Sequence, residues 1–520
     1  MHDRDSFGEI HLDVTAGRER MDATPDYETP FRVAILGDFS GRANRRLIEI
    51  GDALARKRPI LVDRDNFDAV FAKIAPHLDL TLGDDSDGKT SLTFNELDDF
   101  HPDRLFEQAP LFRKLRDTRD RLSDPASFAR TAKELGITAE RPAAAPPAEP
   151  RRQRVSDADV QQILSGNILD QMAEETEARG QSAPRAPDPW TSFVRKIAAP
   201  HVVPKADPRR AEVEALIDKV TSAQMRALLH LPPLQALEAA WRAVFFLVRN
   251  IETSERLKLF LIDVSKEELA RDLAASPNLT STGIYRLLVE KTVGTPGAEP
   301  WAVLAGNLTF EPTLRDAALL EGMAKIAAAA GAPFLAGASP RLLGCNSVAD
   351  LPDPRQWRRQ HSAEVVSAWE ALRCKPEARY LGLALPRFML RLPYGKDTDA
   401  TELFTFEELS EPPEHEDYLW GNPALAAVLL LAQAFAEEGW ELRPGVVSEI
   451  RGLPMHIFSV DGESGTVPCA EVLMTQSAAE QMMELGFMSL ASLKDQPAVR
   501  LVRFQSFSNP VRALAGRWSG

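Results

Sequence analysis

The chain has 520 residues and a mass of 57.4 kDa, enough for about three to four domains, and a compact chain of this size buries about three quarters of its unfolded surface. Hydrophobic residues make up 44% and charged residues 26%, an ordinary globular mix that excludes wholesale disorder, collagen and a disulfide scaffold. With 76 acidic against 61 basic side chains the net charge is −15, a poor balance for wrapping nucleic acid or anionic lipid.

Residues 1–30 read as an N-terminal extension without the apolar run of a secretory signal. Within it, EIHLDV alternates Ile10, Leu12 and Val14 with polar residues, the period of a half-buried strand. Residues 31–137 are expected to form an α+β domain. FRVAILGDF reads as a strand. In DNFDAVFAKIAPHL, Phe67, Val70, Phe71 and Ile74 share a helical face, with Asp65 as N-cap and Pro76 as stop. LDLTL and SLTF read as strands joined by the turn-rich GDDSDGKT, and helices follow near Asp103–Gln108 and over LFRKLRDTRDRL. Residues 138–204 are Pro/Ala-rich linkers, through TAERPAAAPPAEPRRQRV and SAPRAPDPW, around an isolated helix at 157–178. On that helix Ile163, Leu164, Ile168, Leu169 and Met172 form an apolar face that must dock, either back on LFRKLRDTRDRL or on a separate partner.

Residues 205–520 alternate helix and strand, as an α/β domain with a mixed or parallel sheet does. ALEAAWRAVFFLV is an amphipathic helix, and LKLFLIDV reads as a strand covered on both faces. Ser265 and Glu268 have capping-box spacing. WAVLAG is a strand, and a helix from about Pro312 to Ala330 ends at Gly331. PFLAGA and YLGLAL are further strands. Asn422 and Pro423 open a helix that Gly439 closes. CAEVLM reads as a strand, SAAEQMMEL as a helix capped by Ser477 with Glu480, and VRLVRFQS as the last strand.

Motifs that carry chemistry are scarce. LGDFSGR lacks the Lys and spacing of a phosphate loop, and Ser339 is followed by Pro340 and Arg341, which breaks a nucleophile elbow. His415 and Glu416 in EPPEHEDY read as a solvated acidic loop, and His456 as a hydrogen-bonded core histidine. GDDSDG and LDDFHPD lack EF-hand spacing, so turn and capping chemistry accounts for their acids. Cys345, Cys374 and Cys469 read as reduced core thiols. No catalytic, cofactor or metal site is expected. The longest apolar run, about Ala424–Ala436, is too short for a bilayer and is interrupted by Gln433, so no membrane insertion is expected and the default is a soluble cytoplasmic protein.

The runs PFRVAILGDFSGR, VDRDNFDAVFAKIAPHLDLTL and SLTFNELDDFHPDRLFEQAPLFRKLRDTRDRL resemble the small subunit of the bacterial type VI secretion contractile sheath (TssB, VipA or ImpB). LQALEAAWRAVFFLV, LKLFLIDVSKEELARDL, EPWAVLAGNLTF, APFLAGASPRLLG, ARYLGLALPRFMLRLPYG, YLWGNPALAAVLLLAQAFAEEGW, GLPMHIF and ELGFMSL resemble the large subunit (TssC, VipB or ImpC). The chain therefore resembles both sheath halves fused, a linkage that makes their pairing intramolecular. The resemblance implies a non-enzymatic structural protein of sheath assembly, acting at an end, cap, initiation or regulatory step. Its implied partners are other sheath subunits, baseplate or tube protein, and the ClpV AAA+ unfoldase. In the family the helices that close the small subunit lie beside the N-terminal helix of the large one. GNILDQMAEET resembles that N-terminal helix, which ClpV reads, so Ile168, Leu169 and Met172 become the implied contact. Large sheath subunits continue past the position of FQSFSNP into a domain whose strands interlock with neighbours' extensions. Here VRLVRFQSFSNPVRALAGRWSG closes the chain, so the large half is expected to be C-terminally truncated. It would keep the strand to donate, at Ile10, Leu12 and Val14, without the strands to receive one. The alternatives are a sheath wall subunit completed by strands of other chains, and an enzyme on an unrecognised α/β body. The last would show a convergent polar pocket at strand C-termini.

Overall fold

The computed structural model describes residues 25–81, 89–123, 130–131 and 208–518, with short breaks at 294–296, 351–352, 359, 411 and 461–462. The strand expected at EIHLDV, with Ile10, Leu12 and Val14, lies outside the described residues. So does the helix at 157–178, with Ile168, Leu169 and Met172.

The fold is α/β, built on a nine-stranded mixed sheet. From the N-terminal stretch come β1 (Phe31–Gly37) and β2 (Ile60–Val62). From the later stretch come β5 (Leu257–Asp263), β6 (Val303–Phe310), β7 (Phe334–Ala338), β8 (Leu381–Leu385), β11 (Glu449–Arg451), β14 (Met488–Ser492) and β15 (Ala498–Leu501). Their order is β11-β15-β14-β8-β7-β6-β1-β5-β2. β1 is thus flanked on both sides by strands from beyond residue 205, and both pairings are parallel.

This placement follows from the composition of β1. Phe31, Val33 and Ile35 enter the core on one face of the sheet, and Ala34 and Leu36 enter the core on the other. A strand apolar on both sides is stable only when both faces are covered. The first face is covered by helices α6 (Pro232–Asn250) and α10 (Pro423–Glu438), whose Trp241, Val244, Leu425 and Leu429 share its core. The second is covered by α8 (Leu314–Ala330), through Leu320, Met323 and Ala327.

The rest of the N-terminal stretch is α1 (Asp52–Ala55), α2 (Phe67–Ile74), the hairpin of β3 (His77–Thr81) and β4 (Lys89–Thr93), α3 (Pro102–Gln108) and α4 (Pro110–Ser123). α4 packs along α5 (Pro208–Leu229), a helix the sequence reading did not identify, and Leu115, Leu122, Val213 and Ile217 lie in one core. The remaining elements are α7 (Lys266–Ala274), α9 (Ala363–Arg373), the short pair β9 (Phe388–Met389) and β10 (Trp420–Gly421), the separate hairpin β12 (His456–Val460) and β13 (Glu463–Val467), and α11 (Gln476–Glu484).

Several local expectations hold. The Ser265–Glu268 capping box is formed, Gly331 ends α8 in the left-handed region at φ 65°, and the Asn422 side chain accepts from the Ala424 N–H. Others change. Asn66, not Asp65, is the cap position of α2, because the Asp63 carboxylate gathers the N–H groups of both Asp65 and Asn66. Thr475, not Ser477, caps α11 by accepting from the Ala478 N–H. CAEVLM is not a strand. Ala470 makes one bridge to Phe388, and the segment otherwise turns, committing Glu471 to side-chain pairing. Cys345 and Cys469 are buried, which pushes both thiols up to about 11. Cys374 is exposed, since it follows the last buried residue of α9, Leu372. Among the described residues no helix is long and apolar enough to cross a membrane.

Candidate functional site

The most developed polar architecture lies where the two stretches of chain meet, at the carboxyl ends of β1 and β5. Gly37 sits opposite Asp263 in the parallel register. The chain then leaves β1 through Asp38–Arg42, and side chains of the later stretch take up its backbone. Asp263 Oδ1 accepts from the N–H groups of Phe39 (2.9 Å) and Ser40 (3.1 Å), and its other oxygen accepts from the Ser40 hydroxyl (2.8 Å). The Trp241 indole donates to the Phe39 carbonyl at 2.8 Å and packs on the rings of Phe39, Phe67 and Phe71.

Arg42 is nearly buried and holds this corner. Its guanidinium lies 2.9 Å from Asp263, 2.8 Å from Glu268 and 2.5 Å from Glu49. Burial opposes its charge, but these carboxylates prevail and raise its pKa. The capping box therefore has a second duty: Glu268 accepts from the Ser265 N–H (2.8 Å) and from the Glu49 N–H (2.9 Å). Asp272 accepts from the Gly51 N–H at 2.6 Å and from the N–H groups of Gly283 and Ile284. A Cβ at Gly283 would stand 2.3 Å from the Gly51 carbonyl, so only glycine admits this approach of the two stretches. Farther off, Trp440 donates to the Thr29 carbonyl and Asp103 accepts from the Glu402 and Leu403 N–H groups.

A convergent polar cluster therefore lies at strand C-termini, where an enzyme on this body would keep its pocket. Burial raises Asp38, whose carboxylate nevertheless accepts from the N–H groups of Arg42 and Ala43. The carboxylates that converge here are engaged by backbone donors, Arg42 or Lys57. The arrangement fastens one stretch of chain to the other.

A second network is deeper. Arg391 pairs with Glu238 (2.7 Å) and Glu408 (2.7 Å), and Arg242 pairs with Glu238 (2.6 Å). Burial alone would raise the Glu408 carboxyl. The Arg391 charge, with the Tyr394 N–H donating at 2.7 Å, outweighs it and holds the group at about 2. Next to it, Arg387 forks onto Glu471 and Glu416, while His415 bonds Glu471 at 3.0 Å and stacks on Trp420. Burial would raise Glu471 as well, but the His415 bond and the Arg387 charge hold it at about 2. The donor atoms of His415, Glu416 and Glu471 lie within 4.8 Å of one another, close enough for a metal ion, but Arg387 already meets both carboxylates. His415 is thus drawn into the fold, while Glu416 is exposed.

Ser339 is buried, and its hydroxyl accepts from the Arg341 N–H as a turn cap. His456 accepts or donates at 2.8 Å with the Tyr418 hydroxyl. In LDDFHPD, Asp99 completes a capping box and His101 caps α3. The sequence places Trp241 on an apolar helix face but does not single out Arg42, Asp263 or Asp272. One signal was available: two apolar strands, VAILGD and LFLID, each end on an aspartate.

Comparison with known proteins accounts for both stretches. Residues 211–508, more than half of the chain, match the family described as EvpB/VC_A0108, tail sheath N-terminal domain (VipB). Residues 9–136 match the family described as type VI secretion system, VipA, VC_A0107 or Hcp2. The type VI secretion system sheath protein TssC1 of Pseudomonas aeruginosa is 35% identical over 302 residues, covering 57% of this chain and 61% of that protein. The chain thus spans about three fifths of the length of this curated relative. The chain belongs to the EvpB/VC_A0108 tail sheath family of type VI secretion, and joins to it in one polypeptide a VipA-like segment.

Proposed function

We propose that the chain is a single-chain sheath protomer that serves type VI sheath assembly from the cytoplasm by shape and edge complementarity, without catalytic turnover. One observation carries this reading: β1 of the VipA-like stretch is threaded between β5 and β6 of the VipB-like stretch. A strand in that position makes the two halves one folding unit with a fixed 1:1 ratio.

Within assembly, we assign it to an end, cap, initiation or regulatory step. The edges of the large sheet support this. β2 has three residues, between Arg58 and Asp63, and β11 has three, with Glu449 paired to Arg500 and Arg451 exposed. Short edges, β11 charged and β2 flanked by charges, resist strand addition, so the body is ill suited to passing a ladder from copy to copy. The alternative, a wall subunit completed by strands of other chains, is favoured by the separate hairpin β12–β13. Its Ile457 is 62% exposed, beside strand edges left open. Other sheath subunits are the proposed partners, followed by baseplate, tube protein and ClpV. Ile10, Leu12 and Val14 are proposed to supply a donated strand, and Ile168, Leu169 and Met172 a contact for ClpV.

The test is electron microscopy of gold-labelled protein mixed with separate small and large sheath subunits. Label at polymer ends, or shortened polymers, is expected. Label along the whole length would replace the end-acting reading with the wall reading, and no association would remove both. Ile10→Asp with Val14→Asp is expected to weaken association and leave the melting temperature unchanged.

A further inference from the structure

A cavity of about 330 Å³ opens between the two stretches of chain, and its lining is cationic although the protein as a whole is strongly acidic. Arg32, Lys57 and Arg58 come from the VipA-like side, and Lys291 and Trp301 from the VipB-like side. Among the described residues Glu299 is the one carboxylate in the lining. It is shared between Arg32 (3.4 Å) and Lys258 (3.6 Å), so a single negative charge serves two cations. Lys57 pairs with Glu49 at 2.7 Å, Lys291 donates to the Ala55 carbonyl, and Arg58 is exposed with no ion pair among the described residues.

Arg32 is held in place by stacking. Its guanidinium lies 4.2 Å from the Trp301 ring and 4.7 Å from that of Phe260. Burial pulls its pKa below the ordinary value, and Glu299 offsets this only in part, so the positive charge here is undercompensated. A separate feature also lacks its complement. Trp301 is fully buried and lines the cavity, yet its indole N–H has no acceptor among the described residues. A buried donor without an acceptor is destabilising, and such groups are uncommon in native folds.

We propose that this cavity is a binding site for a small soluble phosphate-bearing anion, held by Arg32, Lys57, Arg58 and Lys291 with the Trp301 indole as a neutral donor. A phosphate group suits the site because its several oxygens can accept from donors that converge from different elements, and arginine meets it in a fork. The volume lies at the lower end of the range of about 300–1,000 Å³ usual for small-ligand pockets. Pro59, Leu287 and Ala298 add an apolar wall against which an organic part of the ligand can rest. Because donors come from both stretches, such a ligand clamps one to the other and stabilises the folded chain by linkage. This inference stands apart from the sheath reading, since it rests on the cavity alone.

The experiment is calorimetric titration of the full chain with pyrophosphate at constant ionic strength, with the melting temperature followed in parallel. Saturable binding at one site and a rise in melting temperature are expected. Arg58→Glu, at an exposed position, is expected to weaken binding by about tenfold or more. Trp301→Phe, which keeps an aromatic ring but lacks the N–H, is expected to weaken it by about threefold. Arg503→Glu removes an exposed arginine outside the cavity and is expected to leave binding unchanged. No saturable heat in the wild type would overturn the proposal. So would Arg58→Glu binding as the wild type does, or Arg503→Glu losing as much as Arg58→Glu.

Discussion

β1 and the loop around Arg391 are both buried joints between distant parts of the chain, but they are made of different interactions. β1 is held by backbone ladders on two sides and by apolar side chains on both faces, with Glu299 on Arg32 near its start and Asp263 taking up the backbone beyond its end. The loop that carries Arg387, Arg391, Tyr394 and Glu408 is held to α6 and Glu471 largely by full charges. The ladder is indifferent to pH, because peptide groups do not titrate. The charged joint depends on its carboxylates staying ionised, and the desolvation cost of a buried ion pair can exceed what its attraction returns. The ladder is the apolar joint between the VipA-like and VipB-like stretches, and the polar cluster at the end of β1 adds to it.

The largest effect is expected where that contrast is most direct. Ile35→Asp places a carboxylate between β5 and β6 at a position with no exposure, and no cation lies opposite it. A loss on the order of 5 kcal/mol or more is expected, read as loss of soluble protein and of the far-ultraviolet circular dichroism signal. Leu61→Asp, on the edge strand at 44% exposure, is the matched control and is expected to fold. If both fold equally well, β1 is not the joint described here.

In the charged joint, Arg391→Met leaves Glu238 and Glu408 buried without their main cation. A cost of about 3–5 kcal/mol at pH 7 is expected, by denaturant unfolding. The sign of the pH response separates the two joints. In the wild type Glu408 and Glu471 sit at about 2, below the ordinary 4.5. Their contribution is therefore complete above about pH 4.5 and disappears as pH falls from there through about 2. In Arg391→Met burial of Glu408 is opposed only by the Tyr394 N–H and His230, so its pKa is expected to rise and part of the lost stability to return as pH falls from 7 toward 5. A variant whose deficit is constant over that range would show that Arg391 acts by packing and not by charge.

Much of this architecture was legible in the chain, and the exceptions have physical reasons. The strands at VAILG, LFLID and PFLAGA announce themselves because a buried parallel strand must be apolar throughout. α5 escaped because its flank is proline-rich linker and its apolar residues do not hold one stripe. The ladder between β1 and β5 pairs residues more than two hundred positions apart, and no local pattern reports such a partner. Arg42, Asp263 and Asp272 are ordinary surface types in sequence. Their role appears only when the Phe39, Ser40 and Gly51 N–H groups are brought to them.

The smallest effect sharpens the comparison at a third contact, between α4 and α5. Here both kinds of interaction occur side by side. Arg119 meets Asp218 with Nε at 2.6 Å and a second nitrogen at 3.3 Å, and these side chains are 44% and 32% exposed. Beneath them Leu115 and Leu122 are buried in the same core as Val213 and Ile217. An exposed pair gains little in high dielectric, so Arg119→Ala is expected to cost only about 0.2–1 kcal/mol, and the difference should vanish in high salt. Leu122→Ala is expected to cost about 2–5 kcal/mol whatever the salt. Denaturant unfolding of both variants at low and high sodium chloride checks this. If Arg119→Ala costs as much as Leu122→Ala, the VipA-like helix is held to α5 by charge. The two stretches would then be separable by ionic strength at that end, while β1 stayed threaded in the sheet.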